Sequence, residues 1–215
     1  MDTRTKIIRE RYKRMAPAVI EALKKRGFDG YFCETAQEAS ETVLSLIPEH
    51  ATVSRGDSVT LNEIGVMEKI RQAGYSVIDI LQADSQEELF SLMREALTCD
   101  VFLSSVNAMS EDGAMINIDG TGNRIAAIAF GPKSVILVVG MNKICRDAEA
   151  ARARARTYAA PNNGLRRELK LPCAKTGFCH DCNAPDCMCS QIVEMRRNSI
   201  PHRVKVILVG EDLGL

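Results

Sequence analysis

The sequence has no excess of charge of either sign and no long apolar run. Its 215 residues include 28 Lys and Arg and 28 Asp and Glu, a formal net charge of zero. No bulk electrostatic attraction to nucleic acid or to an anionic membrane is therefore expected. No segment approaches the roughly 18 apolar residues of a membrane helix. Residues 1–14 are charged throughout and lack the apolar stretch of a signal peptide, so the expected location is the cytoplasm.

The chain also lacks an internal repeat and a linker long enough to divide it. An apolar fraction of 46% and a charged fraction of 26% are ordinary for a globular protein, and the length suffices for one sizeable core. We predict one domain over residues 1–215. It begins with a helical segment at 3–27, in which Pro17 should cause a kink or divide the helix in two.

Short apolar stretches then alternate with helix signals. Strands are predicted at 30–33, 51–54, 76–80, 100–104, 134–140 and 204–210. Three helices begin with pairs typical of a capping box, which are Thr35 with Glu38, Thr60 with Glu63, and Ser85 with Glu88. This alternation predicts an α/β fold with a mainly parallel sheet and helices on both faces.

The remaining segments give three further predictions. Residues 114–118 and 124–130 flank the turn 119–123, whose Gly and Asn residues are typical of a β-hairpin insertion. Residues 146–159 are rich in Ala and Arg and predict a helix that the following proline stops. Residues 191–198 are interpreted as a short helix.

Polar loops follow several of the strands, where open α/β sheets bind their ligands. In the first loop Gly56 would let the backbone approach an anion, and Ser58 and Thr60 offer hydroxyls near a helix N-terminus. Alternatively, this loop binds no anion, and Thr60 and Glu63 only cap the helix. In a later loop Lys143 could neutralise an anionic substrate, or could simply face solvent. The predicted ligand-binding residues are Ser54, Gly56, Ser58, Thr60, Asn107, Asp119, Gly120, Asn123, Arg124, Asn142 and Lys143.

Five of the eight cysteines fall within residues 173–189, in the pattern C-x5-C-x2-C-x4-C-x-C. Four thiolates suit a tetrahedral zinc ion or an iron–sulfur cluster. Haem attachment is excluded because the C-x2-C pair is not followed by His, and structural disulfides are disfavoured in the cytoplasm. Within the cysteine-rich loop 172–190 the predicted metal ligands are Cys173, Cys179, Cys182 and Cys189, with Cys187 competing for the fourth place and His180 in reserve.

Five motifs, in this order along nearly the whole chain, make the sequence recognisable. They are S-R-G-D-S-V-T-L-N-E-I-G at 54–65, N-A-M-S-E-D-G at 107–113, N-I-D-G-T-G-N-R at 117–124, F-G-P-K-S-V-I-L-V-V-G-M-N-K at 130–143 and the P-C…T-G-F-C-H-D-C segment. With them the chain resembles the LUD-domain (lactate utilisation protein C-like) family.

This resemblance implies a Rossmann-like core, similar to that of ribose-phosphate isomerases, class I CoA transferases and formyltetrahydrofolate cyclo-ligases. It further implies an accessory role in the oxidation of L-lactate to pyruvate, beside iron–sulfur electron-transfer partner proteins. The ligand would be a small carboxylate or phosphate-bearing anion. A bound cluster would carry electrons, whereas zinc would be architectural. The sequence leaves a homo-oligomer open.

A finer likeness gives a second hypothesis. Residues 110–113, S-E-D-G, are similar to the S-E-N-G loop that supplies the nucleophilic glutamate of class I CoA transferases. This likeness implies a free-standing transferase or isomerase with Glu111 or Glu63 as its catalytic carboxylate. A third hypothesis is a ligand-binding regulator without catalysis.

Overall fold

The computed structural model describes residues 2–215, which contain two β-sheets and the helices that cover them. Residue 1, which the predicted domain includes, lies outside the described residues. The strands are β1 (Asp29–Cys33), β2 (Thr52–Arg55), β3 (Ser76–Ile78), β4 (Val101–Ser104), β5 (Ala108–Ser110), β6 (Met115–Asp119), β7 (Ser134–Gly140), β8 (Ile144–Cys145), β9 (Gln191–Met195) and β10 (Val204–Val209).

The larger sheet has six strands in the order β1-β10-β7-β4-β2-β3. Every neighbouring pair is parallel. The carboxyl ends of all six strands therefore lie along one edge, here called the carboxyl edge. The predicted α/β class with a mainly parallel sheet is confirmed.

The smaller sheet has the order β8-β5-β6-β9. Its central strands β5 and β6 are antiparallel, β8 runs parallel to β5, and β9 runs antiparallel to β6. A β-hairpin is therefore present, but it joins β5 to β6 through residues 111–114 and not through the predicted turn.

Helices cover the sheets. They are α1 (Thr3–Lys25), α2 (Ala36–Ser45), α3 (Val59–Glu63), α4 (Val66–Gln72), α5 (Gln86–Glu95), α6 (Asn123–Ala129), α7 (Ala148–Arg154), α8 (Ala160–Arg166) and α9 (Pro172–Thr176). A π-helical segment, Ala155–Ala159, joins α7 to α8. Over residues 2–215, no helix is long and apolar enough to cross a membrane.

The two faces of strand β7 show why its apolar run is continuous. Val135, Leu137 and Val139 pack with α1 and α6 on one face, while Ile136 and Val138 pack with α2, α3 and α4 on the other. Because successive strand residues point to opposite faces, a strand buried on both sides needs an apolar residue at every position. The predicted coverage of both faces is confirmed.

The predicted division of the N-terminal helix is wrong. Helix α1 is one element from residue 3 to residue 25, with Pro17 inside it. Tyr12, Ala16, Val19 and Leu23 are buried along one stripe of this helix. Their packing on the sheet holds the helix together across the position where proline removes one hydrogen bond.

The strand predicted at 124–130 is also wrong, because these residues form α6. Asp119 accepts hydrogen bonds from the N–H groups of Gly122 (3.1 Å) and Ile125 (3.1 Å). Gly122 has φ of 89° and precedes the first helical residue. The Asp side chain and the left-handed glycine thus start a helix where a hairpin turn was predicted.

Two C-terminal predictions are wrong for different reasons. The helix predicted to stop at Pro161 continues to Arg166, since the preceding π segment shifts the hydrogen-bond register and Ala160 donates to Ala155. Residues 191–195 form strand β9 instead of a helix. This strand pairs with β6 over five residues, from Met115 with Met195 to Asp119 with Gln191, so distant pairing decides its conformation.

Candidate functional site

A cavity of about 750 Å³ opens at the carboxyl edge of the six-stranded sheet. Its inner wall comprises residues 56–60 after β2, 104–107 at the end of β4, and Lys143 after β7. From β2 the chain continues outward to β3, whereas from β4 it goes on to β7 on the other side. The cavity thus lies at the topological switch point, where open α/β sheets bind ligands.

The outer walls come from distant parts of the chain. They come from α5, from α8 and the residue after it, and from part of the cysteine-rich segment. The residues are Gln86, Leu89, Met93, Asn163, Arg167, Pro185, Asp186, Cys187, Met188 and Ser190. The segment approaches the sheet closely, because a Cβ atom on Gly120 would lie 3.4 Å from Met188 Cα. The outer wall therefore depends on the packing of this segment against the sheet.

Lys143 is a buried cation on the inner wall, with only 3% of its surface exposed. Its Nζ donates to Thr60 Oγ1 and Ser105 Oγ, both at 3.1 Å, and to the Val106 carbonyl at 3.3 Å. Within the described chain these partners are all neutral, and Lys143 forms no salt bridge. Its charge is therefore solvated by hydroxyl and carbonyl dipoles alone.

Burial lowers the pKa of Lys143 to about 7. The positive charges of Arg154 and Arg124 lower this pKa further, and Glu63 opposes them. A lysine in this environment carries ammonium and free amine in comparable amounts at neutral pH. Lys143 lines the cavity, as a lysine that neutralises an anion would. The alternative, that Lys143 simply faces solvent, is wrong because the residue is buried.

Arg124 holds the inner wall together. Its Nη1 donates to Asn117 Oδ1 (2.8 Å) and to the Ser105 carbonyl (3.1 Å). Its Nη2 donates to Asn107 Oδ1 (3.0 Å) and to the Ile118 carbonyl (2.7 Å). With these donors occupied, Arg124 organises the loops around the cavity and contributes positive charge to it.

The positive charge of Arg124 is only partly neutralised by an acidic side chain. The carboxylate of Asp119 lies 3.9 Å from Arg124 Nε, while its oxygens accept main-chain N–H groups. Arg154 donates to the carbonyls of Asn107 (2.8 Å) and Leu215 (3.3 Å). The cavity wall thus carries Lys143 and Arg124, with Arg154 beside it. Its acidic side chains are Asp57, Asp119 and Asp186, of which Asp57 pairs with Arg166 at 2.6 Å. At Lys143 itself the positive charges of Arg154 and Arg124 outweigh the negative charge of Glu63.

Most of the predicted ligand-binding residues line this cavity. They are Gly56, Ser58, Thr60, Asn107, Asp119, Gly120, Asn123, Arg124 and Lys143. Two others have structural partners away from it. Ser54 is buried in the sheet and donates to the Ile78 carbonyl at 2.8 Å. Asn142 Oδ1 accepts from the Leu213 N–H at 3.1 Å, which anchors the last residues of the chain.

The predicted capping box of Thr60 and Glu63 is wrong. The N-cap is Ser58, whose Oγ accepts from the Leu61 N–H at 3.4 Å. Thr60 is thereby turned toward Lys143. Glu63 accepts from the Gly214 N–H at 2.6 Å and does not line the cavity. A glycine at residue 65, with φ of 62°, then ends the short helix α3 and begins α4.

Glu111 lies in the turn between β5 and β6, exposed to solvent and outside the cavity wall. Its N–H donates to the Cys145 carbonyl at 2.7 Å. The adjacent Asp112 bonds to Arg26 at the end of α1. The turn is thus fastened to the far side of the small sheet, away from the ligand-binding residues.

The geometry of the cysteine-rich segment does not support the predicted metal site. All five of its thiols are free and partly exposed, and over residues 2–215 no three His, Cys, Asp or Glu side chains are placed to hold a metal ion. The expected zinc or iron–sulfur ligands Cys173, Cys179, Cys182 and Cys189 therefore lack support from the geometry.

The reason is that the second half of the segment packs on the cavity. Cys187 lies on the cavity wall, and its Sγ contacts the Cys182 carbonyl and the Cys189 N–H, both at 3.5 Å. Burial, together with the neighbouring thiols of Cys187, Cys179 and Cys173, raises the pKa of Cys189 to about 12. The spacing of the cysteines permits convergence on one ion but does not enforce it.

Sequence reasoning missed several wall residues. Ser105 is the most important, because its hydroxyl accepts a hydrogen bond from Lys143. A signal was available, since Ser105 follows directly after the buried strand β4, at the same edge as the other loops. Asn163, Arg167 and Met188 carried no such signal, because they reach the cavity only through tertiary packing.

Comparison with known proteins gives the relatives of this chain. A model of the LUD domain matches residues 16–209. "Lactate utilization protein B" of Oceanobacillus iheyensis is 26% identical over 171 residues, which cover 58% of this chain and 36% of that protein. The chain therefore spans about a third of the length of this curated relative.

One solved structure shares the fold of this chain over nearly its whole length. A DUF162 family protein from Deinococcus radiodurans is similar with a TM-score of 0.54 and 13% identity, over 92% of this chain and 98% of its own. Ribose 5-phosphate isomerase A from Neisseria gonorrhoeae overlaps 53% of this chain and 54% of its own, with a TM-score of 0.35 and 13% identity.

Proposed function

The chain belongs to the LUD domain family, and from this premise we propose that it serves lactate utilisation by binding a small anion in the cavity at the carboxyl edge. The relative named lactate utilization protein B supports the biological role. In this proposal the chain is an accessory in the oxidation of L-lactate to pyruvate. It holds the ligand, and iron–sulfur partner proteins carry the electrons.

The observation that carries the proposal is the burial of Lys143 without a carboxylate partner. Removing an ammonium group from water is costly unless an opposite charge or good hydrogen bonds replace the water. A carboxylate or phosphate at Thr60 and Ser105 would supply that missing charge. The additional positive charge of Arg124 and Arg154 favours the same sign of ligand.

The size of the cavity bears on the choice of ligand. Lactate has six heavy atoms and needs about 100 Å³, the room of three to four water molecules. A volume of about 750 Å³ is several times larger and lies in the range of sites for larger ligands. The volume therefore favours a ligand that places its anionic group at Lys143 and extends toward Asn163 and Arg167, such as a phosphate-bearing compound.

Isothermal titration calorimetry tests this proposal with L-lactate, pyruvate and pyrophosphate as probes. At least one probe should bind the wild-type protein, and Lys143→Met should weaken its binding at least tenfold. The matched control is Lys133→Met, because Lys133 is an exposed lysine paired with Asp100 at 2.8 Å, far from the cavity wall. Equal binding by both variants, or no binding of any probe, would refute the proposal.

A further inference from the structure

We propose that Lys143 forms a covalent imine with a small oxo-carboxylate held in this cavity. The inference deepens the proposed function and rests on it, because the same anion site would present the carbonyl carbon to the amine. It adds a reaction to what is otherwise a binding site. The ligand class is a carboxylic acid with an aldehyde or ketone group. Pyruvate is its smallest ketone member and serves as the probe, while the cavity of about 750 Å³ also holds longer acids of this class.

The position of Lys143 meets the geometric needs of such a step. Lys143 lies on the wall of a cavity large enough for the acid, and only 3% of its surface is exposed. Two hydroxyls, Thr60 Oγ1 and Ser105 Oγ, lie 3.1 Å from Nζ and 3.4 Å from each other. Nucleophile and proton carriers are thus already in hydrogen-bond contact.

The protonation state of Lys143 supports the same step, since only a free amine attacks a carbonyl. Burial brings the pKa of this lysine to about 7, so much of it is neutral at physiological pH. The charged groups that face it are Arg154 from α7, Arg124 from α6 and Glu63 from α3. By contrast, the exposed Lys133 pairs with Asp100, which raises its pKa and keeps it protonated.

The reaction balances without an oxidant or a reductant. The Nζ lone pair forms a bond to the carbonyl carbon while the carbonyl oxygen takes up a proton, giving a carbinolamine. A second proton converts its hydroxyl into water, which leaves as the C=N bond forms. The two protons of the water that leaves are the two that the neutral amine has lost. The hydroxyls of Thr60 and Ser105 can relay them from nitrogen to oxygen. After Lys143 has given up its charge, Arg124 on the cavity wall still attracts the carboxylate through its positive charge.

Reductive trapping tests the inference on the full-length protein. The protein is incubated with pyruvate and sodium cyanoborohydride, and peptide mass spectrometry locates the reduced adduct. The adduct is expected on Lys143, with a rate that rises as the pH passes through about 7. Acetone, which has the ketone but no charge, should react at least tenfold more slowly. Lys143→Arg should abolish trapping, and Lys133→Met should leave it unchanged.

Parallel calorimetry without the reductant separates the two proposals. If pyruvate binds but no adduct forms on Lys143, the imine is refuted and the anion site stands. If pyruvate neither binds nor reacts, both are refuted. Labelling spread evenly over surface lysines, or acetone reacting as fast as pyruvate, also overturns the imine. Circular dichroism of Lys143→Arg must match the wild type, and trapping that persists in a folded variant refutes the assignment.

Discussion

Replacing Lys143 with Met should change how the stability of the protein depends on pH. An exposed lysine has a pKa of 10.5, whereas that of Lys143 in the folded protein is about 7. Below pH 7 the lysine is charged in both the folded and the unfolded state. Folding then carries the whole cost of burying the charge, which is roughly 4 to 5 kcal/mol at about 1.4 kcal/mol per pH unit.

Between pH 7 and 10.5 the folded protein releases this proton while the unfolded chain keeps it. The unfolded state then binds more protons, so the wild type gains stability as the pH rises. From pH 6 to pH 9 the gain amounts to about 2 to 3 kcal/mol. Lys143→Met lacks this gain. The variant also leaves Thr60, Ser105 and the Val106 carbonyl without a donor, but that loss is the same at every pH.

Urea unfolding followed by far-UV circular dichroism is the suitable assay, because the chain has no tryptophan. The free energy of unfolding of Lys143→Met minus that of the wild type should fall by about 2 to 3 kcal/mol from pH 6 to pH 9. Lys133→Met should run parallel to the wild type over this range. Parallel curves for Lys143→Met as well would refute the reasoning, since Lys143 would then have the pKa of an ordinary lysine.

Three further variants test other parts of the structure. Arg203 is buried and donates to main-chain carbonyls around the end of α6, so Arg203→Met should lower the free energy of unfolding in urea by about 2 to 4 kcal/mol; a loss below about 1 kcal/mol would contradict this role. A Cβ on Gly56 would lie 3.0 Å from Arg124 Cδ, so Gly56→Ala should weaken binding of the calorimetric probes about tenfold, or about 1.4 kcal/mol, and unchanged affinity would show that the wall tolerates the shift. Glu111→Gln should leave probe affinity within about twofold, because Glu111 lies outside the cavity; a tenfold loss in calorimetry would return Glu111 to the site.

The sheet could be predicted from the sequence because its signal is local. The run from Val135 to Val139 is apolar at every position, and the structure buries alternate residues on opposite faces, as a central parallel strand requires. The capping pairs that start α2 and α5 are equally local, with Thr35 accepting from Glu38 and Ser85 from Glu88. Such elements need no knowledge of distant partners.

The elements that were predicted wrongly depend on distant contacts. Residues 191–195 become a strand because β6, more than seventy residues earlier, offers an unpaired edge. Residues 123–129 become a helix because Ala127 and Ile128 are drawn into the core beside α1. Their turn-like start, Asp119 to Asn123, is compatible with a hairpin or with a helix N-terminus, and local chemistry alone does not separate the two.

Part of the candidate site was predictable, because the order of strands and helices could be predicted from local signals. In a parallel sheet the loops that follow the strands meet at one edge. Nine of the predicted ligand-binding residues accordingly line one cavity. Which side chains turn inward depends on single hydrogen bonds. Ser54 turns into the sheet toward Ile78, and Asn142 turns toward Leu213. The burial of Lys143 is likewise set by packing of several segments, not by its own neighbours in sequence.

The role of the cysteine-rich segment is best understood through the cavity. Its residues Pro185 to Ser190 supply part of the outer wall, and Met188 packs next to Gly120, where a Cβ atom would be in van der Waals contact with Met188 Cα at 3.4 Å. The inner wall supplies the positive charge through Lys143. A ligand that spans the cavity must therefore touch both, so its binding energy stabilises the docked position of the segment. The cysteine-rich segment thus contributes to the site by forming part of the cavity wall.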